Sequence, residues 1–162
     1  MPFISRIFIN PLCFGLIIIF CPQTALANDA LARLLETRKC SFCDLRYVQL
    51  SPVSEDAKET QFVDLTKTYL VSADFSQARL KKVLFAKSYL NGARFVGADL
   101  AGADFTGSEL ELADFSGADL TGAILSKAYL VHARLSIQQL KSVKLCQTTL
   151  PDASISNRDC NR

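Results

Sequence analysis

The sequence predicts an all-β solenoid whose coils have four sides, and three observations predict it. From position 65 to position 150 every fifth residue is Leu or Phe, eighteen times in succession. Two residues before each stands a small residue (Ala, Ser, Thr or Val) in seventeen of the eighteen, Gln138 being the exception. A period of five matches neither the 3.6 of a helix nor the 2 of a flat strand. The chain must therefore turn a corner every five residues and bring the same two side chains inward each time. A longer period lies inside the first: Lys67-Thr68-Tyr69-Leu70, Lys87-Ser88-Tyr89-Leu90 and Lys127-Ala128-Tyr129-Leu130 recur at multiples of twenty. Twenty is four fives, so each coil has four sides, and residues twenty apart stack at the roughly 4.8 Å spacing of neighbouring strands.

Residues 1–27 read as a signal peptide. Arg6 supplies a positive start, Leu12 to Cys21 an apolar run interrupted by Gly15, and Pro22 leads to Ala25-Leu26-Ala27, a small-x-small cleavage site. The apolar run is short for a membrane span, and Phe20 before Cys21 is large for a lipidation site. An uncleaved anchor and a lipoprotein are the alternatives to cleavage after Ala27. The expected mature chain starts at Asn28 and is exported to the periplasm.

Residues 28–42 form an N-terminal capping segment, with a short amphipathic α-helix over 29–39. Leu31, Leu34 and Leu35 share one face, Asn28 or Asp29 caps the start, and Arg38 and Lys39 close the last turn. Such a lid covers the apolar side chains and strand edge that a solenoid leaves at its end. The repeats occupy 43–150, beginning at Cys43-Asp44-Leu45. After Leu50 the fivefold frame would turn Glu55 and Thr60 inward, and an unpaired buried carboxylate is too costly among leucines. Residues from about 51 to 61 are therefore expected as a polar loop, with the frame resuming at Val63. Near the other end Ser136-Ile137-Gln138-Gln139 suits a capping box that starts a short helix, and residues 151–162 form a C-terminal tail.

Within the coils, Phe75, Phe95 and Phe115 form one expected column, and Phe85 with Phe105 another. Asp74, Arg94, Asp114 and Arg134 alternate in sign at steps of twenty, which makes them stacked ion pairs. The stretches Ala98-Asp99-Leu100-Ala101-Gly102, Ala103-Asp104-Phe105-Thr106-Gly107, Ala113-Asp114-Phe115-Ser116-Gly117 and Ala118-Asp119-Leu120-Thr121-Gly122 match an A-D/N-L-x-x motif. Through them the chain resembles the pentapeptide-repeat proteins, over about residues 43–155. The resemblance implies a right-handed four-sided β-helix, its narrow interior filled by the Leu or Phe and the small residue of each repeat. Both ends also resemble exported bacterial members, at Cys40-Ser41-Phe42-Cys43-Asp44-Leu45 and at Cys146-Gln147-Thr148-Thr149-Leu150-Pro151-Asp152. Such members often carry Gly after that Pro-Asp, where this chain has Ala153.

Of six cysteines the mature chain keeps Cys40, Cys43, Cys146 and Cys160, an even number that suggests disulfides in an exported protein. Cys40-Ser-Phe-Cys43 is also a C-x-x-C, open to redox or metal readings. The single His, His132, lies in mid-repeat, so a zinc site would need all four cysteines together. Stacked coils put the two pairs about 20 Å apart, whereas bridged Cα atoms lie within about 7 Å. That distance favours local bridges, Cys40 with Cys43 and Cys146 with Cys160, closing the tail by a disulfide, over free thiols or catalytic redox.

The full chain carries 18 Lys and Arg against 16 Asp and Glu. Removing residues 1–27 takes away Arg6 and no acid, leaving 17 against 16. So small a net charge provides no long-range field for nucleic acid and no polyanion mimicry. The acidic residues before successive core positions (Asp99, Asp104, Glu109, Asp114, Asp119) point outward from different sides and read as solvated. Gly92, Gly97, Gly102, Gly107, Gly117 and Gly122 fall at corners, where backbone freedom is needed. No triad, phosphate-cradling loop or paired-carboxylate site is visible, so no enzyme activity, catalytic residue, cofactor or metal is expected.

The surface with most to offer a partner is the column Tyr69, Tyr89 and Tyr129 with Lys67, Lys87 and Lys127 beside it. Tyrosine is favoured at interfaces because it contributes large area at little entropic cost. Stacked tyrosines can equally serve to join adjacent coils. The leading functional expectation is a non-enzymatic exported scaffold that binds another protein, with homodimerisation through an end coil compatible with it. The alternative implied by cytosolic members of the resembling family is a DNA mimic that protects or inhibits a topoisomerase. The signal peptide and the near-zero charge oppose that alternative.

Overall fold

The computed structural model describes residues 44–45 and 63–161. The signal peptide 1–27, the capping segment 28–42 with Cys40 and Cys43, and the polar loop 51–61 lie outside the described residues.

The chain winds with one parallel bridge on each side of each coil. Asp64 bridges Leu84, Tyr69 bridges Tyr89, Asp74 bridges Arg94 and Arg79 bridges Asp99. These four pairs start five residues apart and each spans twenty, so a coil has four sides. They are called here the Asp64, Tyr69, Asp74 and Arg79 sides. The same step continues to Ile124–Lys144 and Tyr129–Thr149. The first described coil is different: Asp44 bridges Tyr69, and Leu45 donates its N–H to the Tyr69 carbonyl at 2.8 Å. That separation exceeds twenty by one side's length.

Each corner is a turn in which the core residue's carbonyl accepts the N–H three residues on, as in Ala98 to Phe95 at 3.0 Å. The second corner residue is left-handed: φ is +58° at Lys67, +60° at Leu112 and +69° at Gly122. An L-residue with a Cβ meets a steric cost of about 1–2 kcal/mol there, which glycine avoids. The aspartates before the core positions do more than face solvent. Oδ1 of Asp74, Asp104, Asp114 and Asp119 accepts the N–H two residues on at 2.8–2.9 Å. Each closes an Asx turn that holds the corner, a role that Asp104, Asp114 and Asp119 have in addition to facing outward.

Inside, the small residue and the Leu or Phe of the repeats from Leu65 to Leu130 are buried, apart from half-buried Val63, and Leu135, Leu140 and Leu150 near the C-terminal end are partly buried. Phe75, Phe95 and Phe115 stack with centroids 5.1 and 5.0 Å apart, as do Phe85 and Phe105 at 5.0 Å. The two columns meet edge to face at 5.7–5.9 Å, the arrangement that aromatic quadrupoles favour. Leucines fill the other two sides. On the Tyr69 side the small positions include Thr68, Ser88, Ser108 and Thr148, all buried. Ser88, Ser108 and Thr148 donate their hydroxyls to the Leu65, Phe105 and Leu125 carbonyls at 2.5–2.7 Å. No buried side-chain polar atom among the described residues lacks a partner.

The last coil departs from the pattern on the Arg79 side. There the chain forms helix α1 (Ile137–Ser142), capped by Ser136 in a capping box with Gln139. The helix explains why Gln138 breaks the inward series: it is exposed on α1. Beyond it, β1 (Thr148–Thr149) pairs antiparallel with β2 (Ile155–Ser156). The turn between them places Ala153 at φ +64°, the position where glycine is the unstrained choice. Cys146 and Cys160 are bonded, with Cα atoms 4.7 Å apart.

Candidate functional site

The Tyr69 side is built by the ladder Asp44–Tyr69–Tyr89–Glu109–Tyr129–Thr149. Tyr69 and Tyr89 stack with ring centroids 4.9 Å apart and planes 3° from parallel. One face of each ring is thereby covered by the other. Tyr69, Tyr89 and Tyr129 are 41%, 39% and 42% exposed. The sequence reading grouped the three as one column, and the structure divides it. Glu109 stands between Tyr89 and Tyr129, so Tyr129 is one coil removed from the stacked pair.

The lysines occupy the corner that leads into this side. Lys67, Lys87 and Lys127 all sit in the left-handed corner position, at φ +58°, +59° and +60°. Their row is broken in the same coil as the tyrosines, where Gly107 takes the corner. Lysine at a strained position on three coils, with Glu109 in the gap, gives the side a mixed charge and a band of half-exposed aromatic surface.

Leu112 is the residue that sequence reasoning missed. It occupies the opposite corner, where the Tyr69 side meets the Asp74 side, in the coil that lacks a tyrosine. Its φ is +60° and it is 62% exposed. The equivalent corner residues of the other coils are Ser72, Gly92 and His132. The signal was present in the sequence as a leucine two residues off the fivefold inward series. The exposed large apolar side chains among the described residues are Tyr69, Tyr89, Leu112, Tyr129, Ile137 and Ile155. The first four border the Tyr69 side, and the other two lie on α1 and β2 at the C-terminal end.

The Asp74 side carries the alternation Asp74–Arg94–Asp114–Arg134 on consecutive bridges. Its contact of Arg134 with Asp114 measures 3.9 Å, with the arginine side chain 78% exposed, a geometry that contributes little. The carboxylates' principal partners are their own corners. Asp74 accepts the Ser76 N–H at 2.9 Å and its hydroxyl at 2.6 Å. Burial pushes the Asp74 pKa up, but these two bonds and Arg94 outweigh it and hold the group below its ordinary value. For Asp114 the Ser116 hydroxyl and N–H dominate, burial opposes them, and Arg134 and Arg94 add to the lowering. The column is thus a set of corner-capping carboxylates, with arginines interleaved, more than a chain of ion pairs. On the Arg79 side Lys81 meets Asp99 at 3.3 Å.

The sequence model of pentapeptide repeats matches residues 61–97, 78–117 and 98–136, with eight copies. Among solved structures the chain is similar to HetL, a pentapeptide repeat protein involved in heterocyst differentiation regulation from the cyanobacterium Nostoc sp. strain PCC 7120. The identity is 35% over 72% of this chain and 50% of that one, with a TM-score of 0.56. The match therefore spans half the length of HetL. A trypsin-treated form of QnrB1, a plasmid-mediated fluoroquinolone resistance protein, is 22% identical over 70% of this chain and 53% of that one, with a TM-score of 0.55. Rfr23 from the cyanobacterium Cyanothece 51142 is 23% identical over 80% of this chain and 99% of its own, with a TM-score of 0.48. The likeness to QnrB1 is one of fold alone. Comparison with curated proteins returns no match.

Proposed function

Because the chain belongs to the pentapeptide-repeat family, we propose that it is a non-enzymatic scaffold that binds a partner protein through its Tyr69 side. Members of the family fold as right-handed β-helices and serve in general as structural or interaction proteins. The observation that carries the reading is the collection of Tyr69, Tyr89, Leu112 and Tyr129 along one side. Leu112 matters most. Neither the core nor the corner accounts for a leucine that is exposed and left-handed at once, so its local cost is best explained by contact with something else. Half-exposed tyrosines, an apolar leucine and flanking Lys and Glu match the make-up of a protein interface, with aromatic anchors inside a polar rim.

In the same reading the protein is exported after cleavage behind Ala27, for which the residues of the leader are the support. Mimicry of a nucleic-acid duplex would call for a surface of one sign. The Asp74 side instead alternates Asp with Arg, and the Tyr69 side mixes Lys with Glu.

Replacing Tyr89 and Leu112 together by Ser tests the binding reading. Both are surface positions, so the variant is expected to keep its melting temperature within a few degrees and to lose its partner in affinity capture. Unchanged capture would remove the Tyr69 side as the binding surface. N-terminal sequencing of protein recovered from fractionated cells tests export: a start at Asn28 in the periplasm supports it, and an intact leader in the cytosol opposes it.

A further inference from the structure

The C-terminal tail takes the place that a stacked coil takes elsewhere in the chain. In the interior, away from α1, the N–H of the core residue and of the corner residue two on donates to the next coil. Leu125 donates to Lys144, Lys127 to Cys146 and Leu130 to Thr149. In the coil that ends at Leu150 the equivalent donors are Leu145, Gln147 and Leu150, and the residues that receive them do not belong to a coil. All three are taken by the tail. Leu145 donates to Asp159 Oδ2 at 3.0 Å, Gln147 to Asn157 Oδ1 at 3.2 Å, and Leu150 to the Ser154 carbonyl at 2.8 Å. The Asp159 N–H returns a bond to the Leu145 carbonyl at 2.7 Å. Arg158 donates to the Leu140 carbonyl at 2.8 Å and to the Val143 carbonyl, and also meets Asp159 at 2.8 Å.

What holds the tail down is chemically narrow. Its bonds are polar and border solvent, and Ile155, its one large aliphatic side chain, is 68% exposed. The remaining tie is covalent, between half-buried Cys146 and exposed Cys160. Polar bonds at an exposed edge exchange readily with water, whereas the disulfide keeps their acceptors in place at high effective concentration. We propose that residues 152–160 are a redox-released latch over the edge of the last coil. A dithiol reductant opens it. One donor thiolate attacks the disulfide and forms a mixed disulfide with one cysteine, releasing the other as a thiolate. The second donor thiol then displaces the remaining cysteine. Two electrons and two protons pass to the protein, leaving Cys146 and Cys160 as thiols and the donor as its own disulfide. With the tether cut, the tail leaves and the Leu145, Gln147 and Leu150 N–H groups are opened to solvent, as an unpaired strand edge.

Residue-resolved amide hydrogen exchange on the full chain tests this, with and without dithiothreitol and on the Cys160→Ser variant without reductant. Exchange at Leu145, Gln147 and Leu150 is expected to accelerate at least tenfold in both the reduced protein and the variant, while Phe95, Phe105 and Leu110 keep their protection. Unchanged exchange at any of the three edge amides would overturn the proposal, because the tail would then hold without its tether. A matching loss of protection at Phe95, Phe105 and Leu110 would also overturn it, since the disulfide would then be a staple of the whole fold.

Discussion

The side-chain amide of Gln139 donates to the carbonyl oxygens of Phe115 and Ala118, at 2.8 Å each. On the same side of earlier coils the bond equivalent to that with Ala118 is made by the main chain, where Asp99 and Asp119 donate their N–H groups to Ala78 and Ala98. Helix α1 withdraws the main chain from the ladder, because the Gln139 N–H is bound to the Ser136 hydroxyl in the capping box. One glutamine therefore caps the helix with its Oε1 and the solenoid with its Nε2. Gln139→Ala removes both and is expected to cost about 1–3 kcal/mol, the penalty for leaving the Ala118 carbonyl unpaired, since Phe115 keeps the Ala118 N–H at 3.0 Å. Gln139→Glu should cost at least as much, since a carboxylate cannot donate to two carbonyls. Denaturant midpoints of the two variants check this, and an unchanged midpoint for Gln139→Ala would contradict it.

Acid should weaken the coils at a defined point. The pKa values of Asp74, Asp114, Asp119 and Asp152 are all lowered from the ordinary 3.8. For Asp114 and Asp119 the leading causes are the hydroxyl and N–H of Ser116 and Thr121, against a smaller opposing effect of burial. A depressed folded-state value means that the ionised form is the one the fold stabilises. That stability is fully present above 3.8 and is lost as pH falls through the lower folded values. Thermal melts should be flat from pH 7 to about pH 5 and fall below about pH 4. Asp114→Asn keeps an acceptor oxygen for the corner while removing the titration, so its acid loss should be shallower than that of the parent.

The corners offer a paired test at one conformation. A Cβ built on Gly122 would meet nothing within 4 Å, yet its φ is +69°. Gly122→Ala should therefore report the conformational cost alone, about 1–2 kcal/mol of destabilisation. Leu112→Gly runs the other way: it relieves the same strain and removes a side chain that is already 62% exposed, so a gain of up to about 1 kcal/mol is expected. A Leu112→Gly protein that is less stable than its parent would show that Leu112 serves the fold, which would weaken its assignment to a partner.

Phe95 lies between Phe75 and Phe115 and touches Phe85 and Phe105 edge-on. No other described side chain joins both aromatic columns so completely. Phe95→Ala should cost about 3–5 kcal/mol, as truncation in a core that cannot collapse does. Phe95→Leu, by analogy with the leucines of the adjacent sides, should cost much less. Calorimetry on the two variants separates volume from aromaticity.

The register was legible in the sequence because it depends on one repeating fact, the inward Leu or Phe, counted in fives and then in twenties. The bridges Tyr69–Tyr89 and Asp74–Arg94 are consequences of that count, and Ser136 with Gln139 announced α1 by its capping pattern. Features that break the period were harder to read. Gln139 replaces a main-chain donor with a side chain, and Asn157 and Asp159 imitate a coil, none of which a spacing rule can express. Asp114 looked like an ion-pair partner because Arg94 and Arg134 lie twenty residues away, yet Ser116, two residues on, holds it more strongly. On the candidate face the tyrosines were legible as a repeat. Glu109, which interrupts them, and Leu112, which joins them, belong to the one coil where the repeat changes.

A photoreactive residue placed at 112, with a control at 121 on an exposed corner bounding the far side, tests the central claim most directly. Irradiation of cells producing each variant, followed by mass analysis of the adducts, is the measurement. The account predicts a discrete protein adduct from position 112 and none from position 121. Equal crosslinking at both positions, or an adduct from 121 alone, would contradict it.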